Sequence, residues 1–219
     1  MAIRKTPAKA APKKAVAKKA VAKKKTVIKK TVKPLATKVA VPKIEVINPN
    51  IYPIGKHKPP ADFTDDVITK LIQDIRILPH HLKDVCKKVN KKKKLQYSYR
   101  DGGWSIEQII HHIADSHMNA FIRFKLALTE NHPTIKPYDE NLWSETADVQ
   151  LPVKVSLRLL KALHTKWVAL LENMDKNDLK RTYFHPAYNT TSTLQQALSV
   201  YAWHGKHHVA QIEIALKIN

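Results

Sequence analysis

Cysteine is nearly absent. Cys86 is the only one in 219 residues, so no intramolecular disulfide framework can form. It falls in an apolar-periodic segment and reads as a core thiol in a reducing compartment. Glycine is scarce too, with four in the chain and only Gly102, Gly103 and Gly205 beyond residue 60. That scarcity disfavours a turn-rich β fold and favours helices. No run approaches the ~18 apolar residues of a membrane span. None of suitable length follows the basic N-terminal residues to make a secretory signal. Residues 1–44 contain neither an acid nor an aromatic residue.

What fills that first stretch is lysine, set among alanine, valine, proline and threonine. Fifteen of the 39 Lys and Arg lie there, so residues 45–219 hold 24 basic against 18 acidic residues and carry only +6 of the net +21. Such a segment cannot bury enough apolar surface to offset the entropy of ordering, which predicts a disordered basic tail over residues 1–46. Its Lys-Ala-Pro texture resembles linker-histone tails. Its charge predicts salt-sensitive, non-specific contact with nucleic acid or another polyanion through residues 1–44. A spacer tail with no specific partner is the alternative. Base-specific readout is not expected, because the tail offers no scaffold to aim side chains at base edges. Enrichment in Lys rather than Arg and Ser counts against an organellar transit peptide.

The body, residues 47–219, begins with an extended lead-in marked by Pro53, Pro59 and Pro60. Four segments then show helical spacing. The first runs from about Thr64 to Val89, with a kink or short break expected at Pro79. The second starts at Ser105, which pairs with Gln108 in a capping-box pattern, and its stripe extends to Leu128. The third spans roughly Val153 to Asn173. The fourth begins at Thr193, with Gln196 completing a second capping box, and continues to Leu216. The long connection at about 131–152 carries Pro133, Pro137, Pro152, Tyr138 and Trp143, and a loop of that length is often functional. Four helices with one long crossover predict an all-α four-helix bundle, whose core can house a metal.

All twelve histidines lie in the body, most densely in His111-His112-Ile113-Ala114-Asp115-Ser116-His117 and Trp203-His204-Gly205-Lys206-His207-His208. Most single histidines are structural or surface groups, so the arrangement has to carry the argument. His204 and His208 are four apart and project side by side from one helical face. At ~100° per residue from Leu194, His208 lies about 40° and His204 about 80° from the apolar stripe, while His207 lies about 140° away and is expected to face out. Gly205 between them is costly in a helix, about 1 kcal/mol relative to Ala, and suggests a close neighbour. No Glu lies within the pair, so this is not the HExxH of zinc proteases. On the second helix, periodicity alone selects His117: from Ile106 it lies about 20° from mid-stripe, against about 120° for His112.

Several longer motifs resemble one family. They are the lead-in Tyr52-Pro53-Ile54-Gly55, Tyr99-Arg100-Asp101-Gly102-Gly103-Trp104, the stretch 111–130, Pro137-Tyr138-Asp139-Glu140, and the stretch 201–212. Together they resemble the YfiT branch of the DinB-like superfamily over about residues 50–218; the basic tail is outside the pattern. The resemblance implies a DinB-like four-helix bundle holding one divalent metal ion per subunit on three histidines. One comes from the second helix and two from an HxxxH on the fourth. Carried over residue by residue, it selects His112, eight after Trp104, together with His204 and His208. It therefore departs from periodicity, which favours His117. It also implies a homodimer in the cytoplasm.

Three neutral ligands leave a position open for water or substrate, the pattern of a catalytic metal. Three imidazoles suit Zn2+, and Ni2+ is also compatible. The family resemblance implies a metal-dependent hydrolase that activates water and acts on a small-molecule substrate. A metal-dependent thiol S-transferase of the bacillithiol type is the alternative. A polyanion- or DNA-binding protein acting through its tail is a second alternative. Asp115, His117 and Arg123 are candidates for orienting the ligands or the substrate.

Overall fold

The computed structural model describes residues 51–217. The basic tail expected over residues 1–46, and the boundary behind it, lie outside them. The described chain runs α1 (Asp65–Lys92), α2 (Ile106–Thr129), α3 (Glu140–Trp143), a 3-10 turn (Ala147–Gln150), α4 (Lys154–Glu172), α5 (Lys176–Lys180), β1 (Thr182–His185), β2 (Thr190–Thr193) and α6 (Leu194–Lys217). The four long helices fall where the apolar spacing put them. Among the described residues, no helix is long and apolar enough to cross a membrane.

The helix starts are written in local chemistry. The Thr64 hydroxyl accepts from the Val67 amide at the head of α1. Ser105 and Gln108 close a reciprocal capping box on α2, and Thr193 and Gln196 close another at the start of α6. The long connection is not bare loop. Asp139 caps α3 by accepting from the Asn141 and Leu142 amides, and the Ile135 amide donates to the Phe184 carbonyl at 3.0 Å. The β1–β2 hairpin pairs antiparallel, Thr182 opposite Thr193, and was not expected from the sequence. Its second strand is Thr-Thr-Ser-Thr, which has no apolar alternation to read.

The core has two apolar halves. One gathers Ile68, Ile72 and Ile75 of α1, Phe124 of α2, Trp167 of α4 and Leu198 of α6. The other gathers Leu82 of α1, Ile109 of α2, Leu160 of α4 and Ile212 of α6. The N-terminal portions of α1 and α6 thus share the first half, and those of α2 and α4 share the second. So α1 runs parallel to α6 and α2 parallel to α4, an order an up-down-up-down bundle does not have. The parallel pair α2–α4 explains the long connection: the chain must travel back along the bundle before α4 can begin.

Between the two halves lies a layer of imidazoles, from His112 and His117 on α2, His164 on α4, and His204 and His208 on α6. Pro79 sits beside this layer without breaking α1, which is continuous from Asp65 to Lys92. A mid-helix proline leaves the carbonyl four residues earlier without its amide donor. Here that carbonyl belongs to Ile75, and His164 Nδ1 lies 2.5 Å from it. The expected break is absent because the orphaned acceptor has another partner. Cys86 is buried in the core, as expected, and burial pushes its thiol up to about 12.

Candidate metal centre

Within the imidazole layer, one ligand atom from each of His112, His204 and His208 falls within 4.8 Å of the others. His204 Nε2 lies 3.2 Å from His112 Nε2 and 3.1 Å from His208 Nε2. Nitrogens held ~2.0–2.1 Å from a tetrahedral ion stand roughly 3.3 Å apart, so these spacings suit one small cation. His112 and His208 are buried, and His204 is mostly buried. Trp104 closes one side, with its ring centroid 4.5 Å from that of His112 and 6.4 Å from that of His208.

Burial lowers the pKa of all three histidines. It brings His112 down to about 4. His204 and His208 fall well below their ordinary value through burial first and then through the neighbouring imidazoles. The rings are therefore neutral at physiological pH, the state in which imidazole can ligate a metal.

The ring orientations have identifiable causes. His208 Nδ1 lies 2.8 Å from Gln211 Oε1, and the Gln211 amide nitrogen donates to the Ile51 carbonyl at 3.1 Å. A carbonyl only accepts, so the Gln211 amide is fixed with its oxygen toward His208. His208 must then carry its proton on Nδ1, leaving Nε2 bare toward the triad. The extended lead-in supplies that anchor. Its residues run antiparallel along α6: Ile51 meets Gln211, Tyr52 faces His207, Gly55 accepts from Trp203 Nε1, and His57 meets Ser199.

The other sequence candidates separate by role. His207 does not face out. It is buried, stacked on Trp203 at 4.6 Å and covered by Tyr52; helical phase could not foresee that the lead-in covers that face. His111 is also buried, with Nδ1 2.9 Å from Ser156 Oγ and Nε2 3.0 Å from the Leu151 carbonyl. It ties α2 to the crossover and α4. His117 lies in mid-core, as its phase predicts, fully buried. It is not in the triad cluster; its Nε2 lies 3.2 Å from His204 Nδ1. Gly205 is where α1 comes close: a Cβ there would meet Leu78 Cδ2 at 2.5 Å.

Arg123 donates to the Tyr201 hydroxyl at 3.0 Å, and burial pushes that phenol well above the usual tyrosine range. Tyr138, from the crossover, comes near Ser116, whose Oγ is 3.5 Å from His204 Nε2. Asp115 is raised to about 6 by partial burial and by Asp148. Ser116 and Tyr201 thus border the triad, the Tyr201 ring centroid lying 6.0 Å from that of His204. Helical phase and spacing do not single out Ser116, Tyr201 or His164 for the site, and Tyr138 stands only within the long connection and the Pro137-Tyr138-Asp139-Glu140 motif.

The comparisons with known proteins identify the family. The model of the DinB superfamily matches residues 72–212. A protein of Oceanobacillus iheyensis named "Putative metal-dependent hydrolase" is 47% identical over 161 residues, 74% of this chain and 92% of its own length. A Bacillus cereus protein of the same name is 48% identical over the same shares. Among solved structures, YfiT from Bacillus subtilis is 43% identical with a TM-score of 0.72, covering 76% of this chain and 95% of that one. It is described as a "probable metal-dependent hydrolase with an unusual four-helix bundle topology".

Proposed function

The chain belongs to the DinB superfamily, and from that footing we propose that it is a metal-dependent hydrolase whose single divalent ion is held by His112, His204 and His208. One observation carries the reading. Imidazole Nε2 atoms stand 3.1–3.2 Å apart, and Gln211 occupies the Nδ1 proton of His208. Three imidazole nitrogens converging at that spacing, with the His208 Nε2 bare, are arranged as one small cation requires. When bound, such an ion supplies Lewis acidity that acidifies water and polarises an electrophile. Zn2+ is the ion this donor set suits first, with Ni2+ second.

The chain's own residues supply the rest. Trp104 excludes water from one side of the triad. The substrate is taken to be a small molecule. Asp115, three residues after His112 and with its carboxyl raised to about 6, has the protonation range for proton exchange near neutrality. Arg123 offers a fixed positive charge for an anionic group of the substrate. The proposal extends to a cytoplasmic homodimer, and to a basic tail over residues 1–44 that contacts nucleic acid non-specifically.

Metal quantification on the purified full chain tests the core of the proposal. About one equivalent of Zn2+ is expected, falling to a trace in His204→Ala and His208→Ala. Hydrolysis of a panel of activated esters and amides should follow the metal content. A wild-type chain without bound metal after Zn2+ loading rejects the proposal. Turnover that strictly requires an added thiol replaces the hydrolase with an S-transferase.

A further inference from the structure

We propose that His117 and His164 are positioning residues that hold His204 with its proton on Nδ1 and its Nε2 bare toward the triad, through a hydrogen-bond chain anchored on the carbonyl that Pro79 frees. This rests on the reading of His204 as a metal ligand. The chain has three links: His164 Nδ1 to the Ile75 carbonyl at 2.5 Å, His117 Nδ1 to His164 Nε2 at 3.0 Å, and His204 Nδ1 to His117 Nε2 at 3.2 Å.

Direction enters at one end only. A backbone carbonyl accepts and never donates, so His164 must carry its proton on Nδ1. A neutral imidazole has one proton, so His164 Nε2 is an acceptor and His117 Nδ1 must donate to it. The same step then makes His117 Nε2 an acceptor, and His204 Nδ1 must donate in turn. His204 Nε2 is left bare, 3.2 and 3.1 Å from the other two ligand atoms. Neutrality is what carries the direction along, because a protonated ring in the middle would donate both ways and reverse His204. Burial supplies it: His117 is 0% and His164 2% exposed, and no carboxylate is among their hydrogen-bond partners in the described residues. The two rings are stacked, with centroids 5.0 Å apart and planes at 14°, so neither can turn without the other.

The origin of the chain lies in α1. With an ordinary residue at position 79, the Ile75 carbonyl would take a helical amide proton and His164 would compete for it. Metal-bound histidines usually donate their second nitrogen to a carboxylate, a carbonyl or water. Here the carbonyl acts at a distance, through two intervening rings. No negative charge is placed behind the ligand, so the ion keeps more of its Lewis acidity than it would with a carboxylate there.

The test reads the tautomer directly. Imidazole 15N–1H long-range spectra of the metal-free full chain at neutral pH should show His204, His117 and His164 protonated on Nδ1 and bare on Nε2. His164→Leu removes the anchor; His204 should become a mixture of tautomers, and Zn2+ affinity should fall roughly 10-fold or more. His164→Gln can accept from His117 with its oxygen and donate to Ile75 with its amide nitrogen, and should stay within about threefold of wild type. A purely structural role would lower the unfolding midpoint in the variants without changing the tautomer. The inference is overturned if His204 in the wild type carries its proton on Nε2, or if His164→Leu keeps wild-type tautomers and affinity. Should His164→Leu fail to fold, the wild-type spectrum and the affinity of His164→Gln decide the matter. A wild type that binds no Zn2+ rejects the triad, yet its spectrum still decides the chain.

Discussion

Twelve histidines look alike in sequence, and their neighbours divide the work among them. His208 is set by Gln211, His111 by Ser156 and the Leu151 carbonyl, and His207 by stacking on Trp203. Gly205 is the clearest residue on which backbone approach depends. Alanine is the better helix former by about 1 kcal/mol, but its Cβ would stand 2.5 Å from Leu78 Cδ2, and Leu78 is buried. Gly205→Ala should therefore destabilise the protein by about 1–3 kcal/mol in urea unfolding. Pairing it with Leu78→Ala should cost less than the sum of the two single changes, because the smaller side chain makes the room the methyl needs. An additive double mutant would show that the two positions are not in contact.

Each long helix owes its ends to capping and its middle to packing, and α1 shows where these conflict. Pro79 costs a helix interior about 3 kcal/mol relative to alanine, yet α1 runs through it unbroken. Pro79→Ala should raise the thermal midpoint of the metal-free protein by relieving that cost. It should also weaken Zn2+ binding, because the restored amide competes with His164 for the Ile75 carbonyl. The two effects are measured separately, by calorimetry and by metal titration. A second element, the crossover between α2 and α4, brings Tyr138 to Ser116 beside the triad. Ser105→Ala, which opens the capping box at the head of α2, should cost about 0.5–2 kcal/mol of stability. It should leave the metal affinity close to wild type, since His112 lies two turns further along.

For the molecule as a whole, a core layer of neutral imidazoles sets the response to acid. Burial lowers His112 and His164 to about 4 from 6.5. In the window between those values the unfolded chain binds more protons than the folded one, so stability rises with pH there. It is fully present above about 6.5 and is lost as pH falls toward 4. These two residues account for on the order of 3 kcal/mol apiece. Urea unfolding of the metal-free protein should show this slope, and bound metal should shift the loss to lower pH by holding the ligands deprotonated. A flat profile between pH 6.5 and 4 would contradict the buried, neutral layer. At the other end of the chain, deleting residues 1–44 removes fifteen positive charges. Retention on DNA should be lost and metal content unchanged. The intact chain should lose DNA steeply with salt as counterions return.

Local and repeating features were legible in the sequence. Capping boxes at Ser105 and Thr193, apolar spacing along four segments and the His204/His208 pair each involve residues within a turn or two, where chemistry and position suffice. The hairpin was not legible, because a four-residue polar strand has no period. The choice between His112 and His117 was not legible in helical phase; the family resemblance selected His112, and the physical reason lies in the tertiary structure. Helical phase reports only how far a residue lies from its own apolar stripe, and it placed His117 correctly in mid-core. The cluster forms where α2 and α6 meet, at the shoulder of each stripe, so His112 joins His204 and His208 there. His117 stands behind them, and its partner His164 and the Ile75 carbonyl come from two other helices. Only folding sets those four segments around one layer, and it is that layer which separates the three histidines that could hold a metal from those that hold one another.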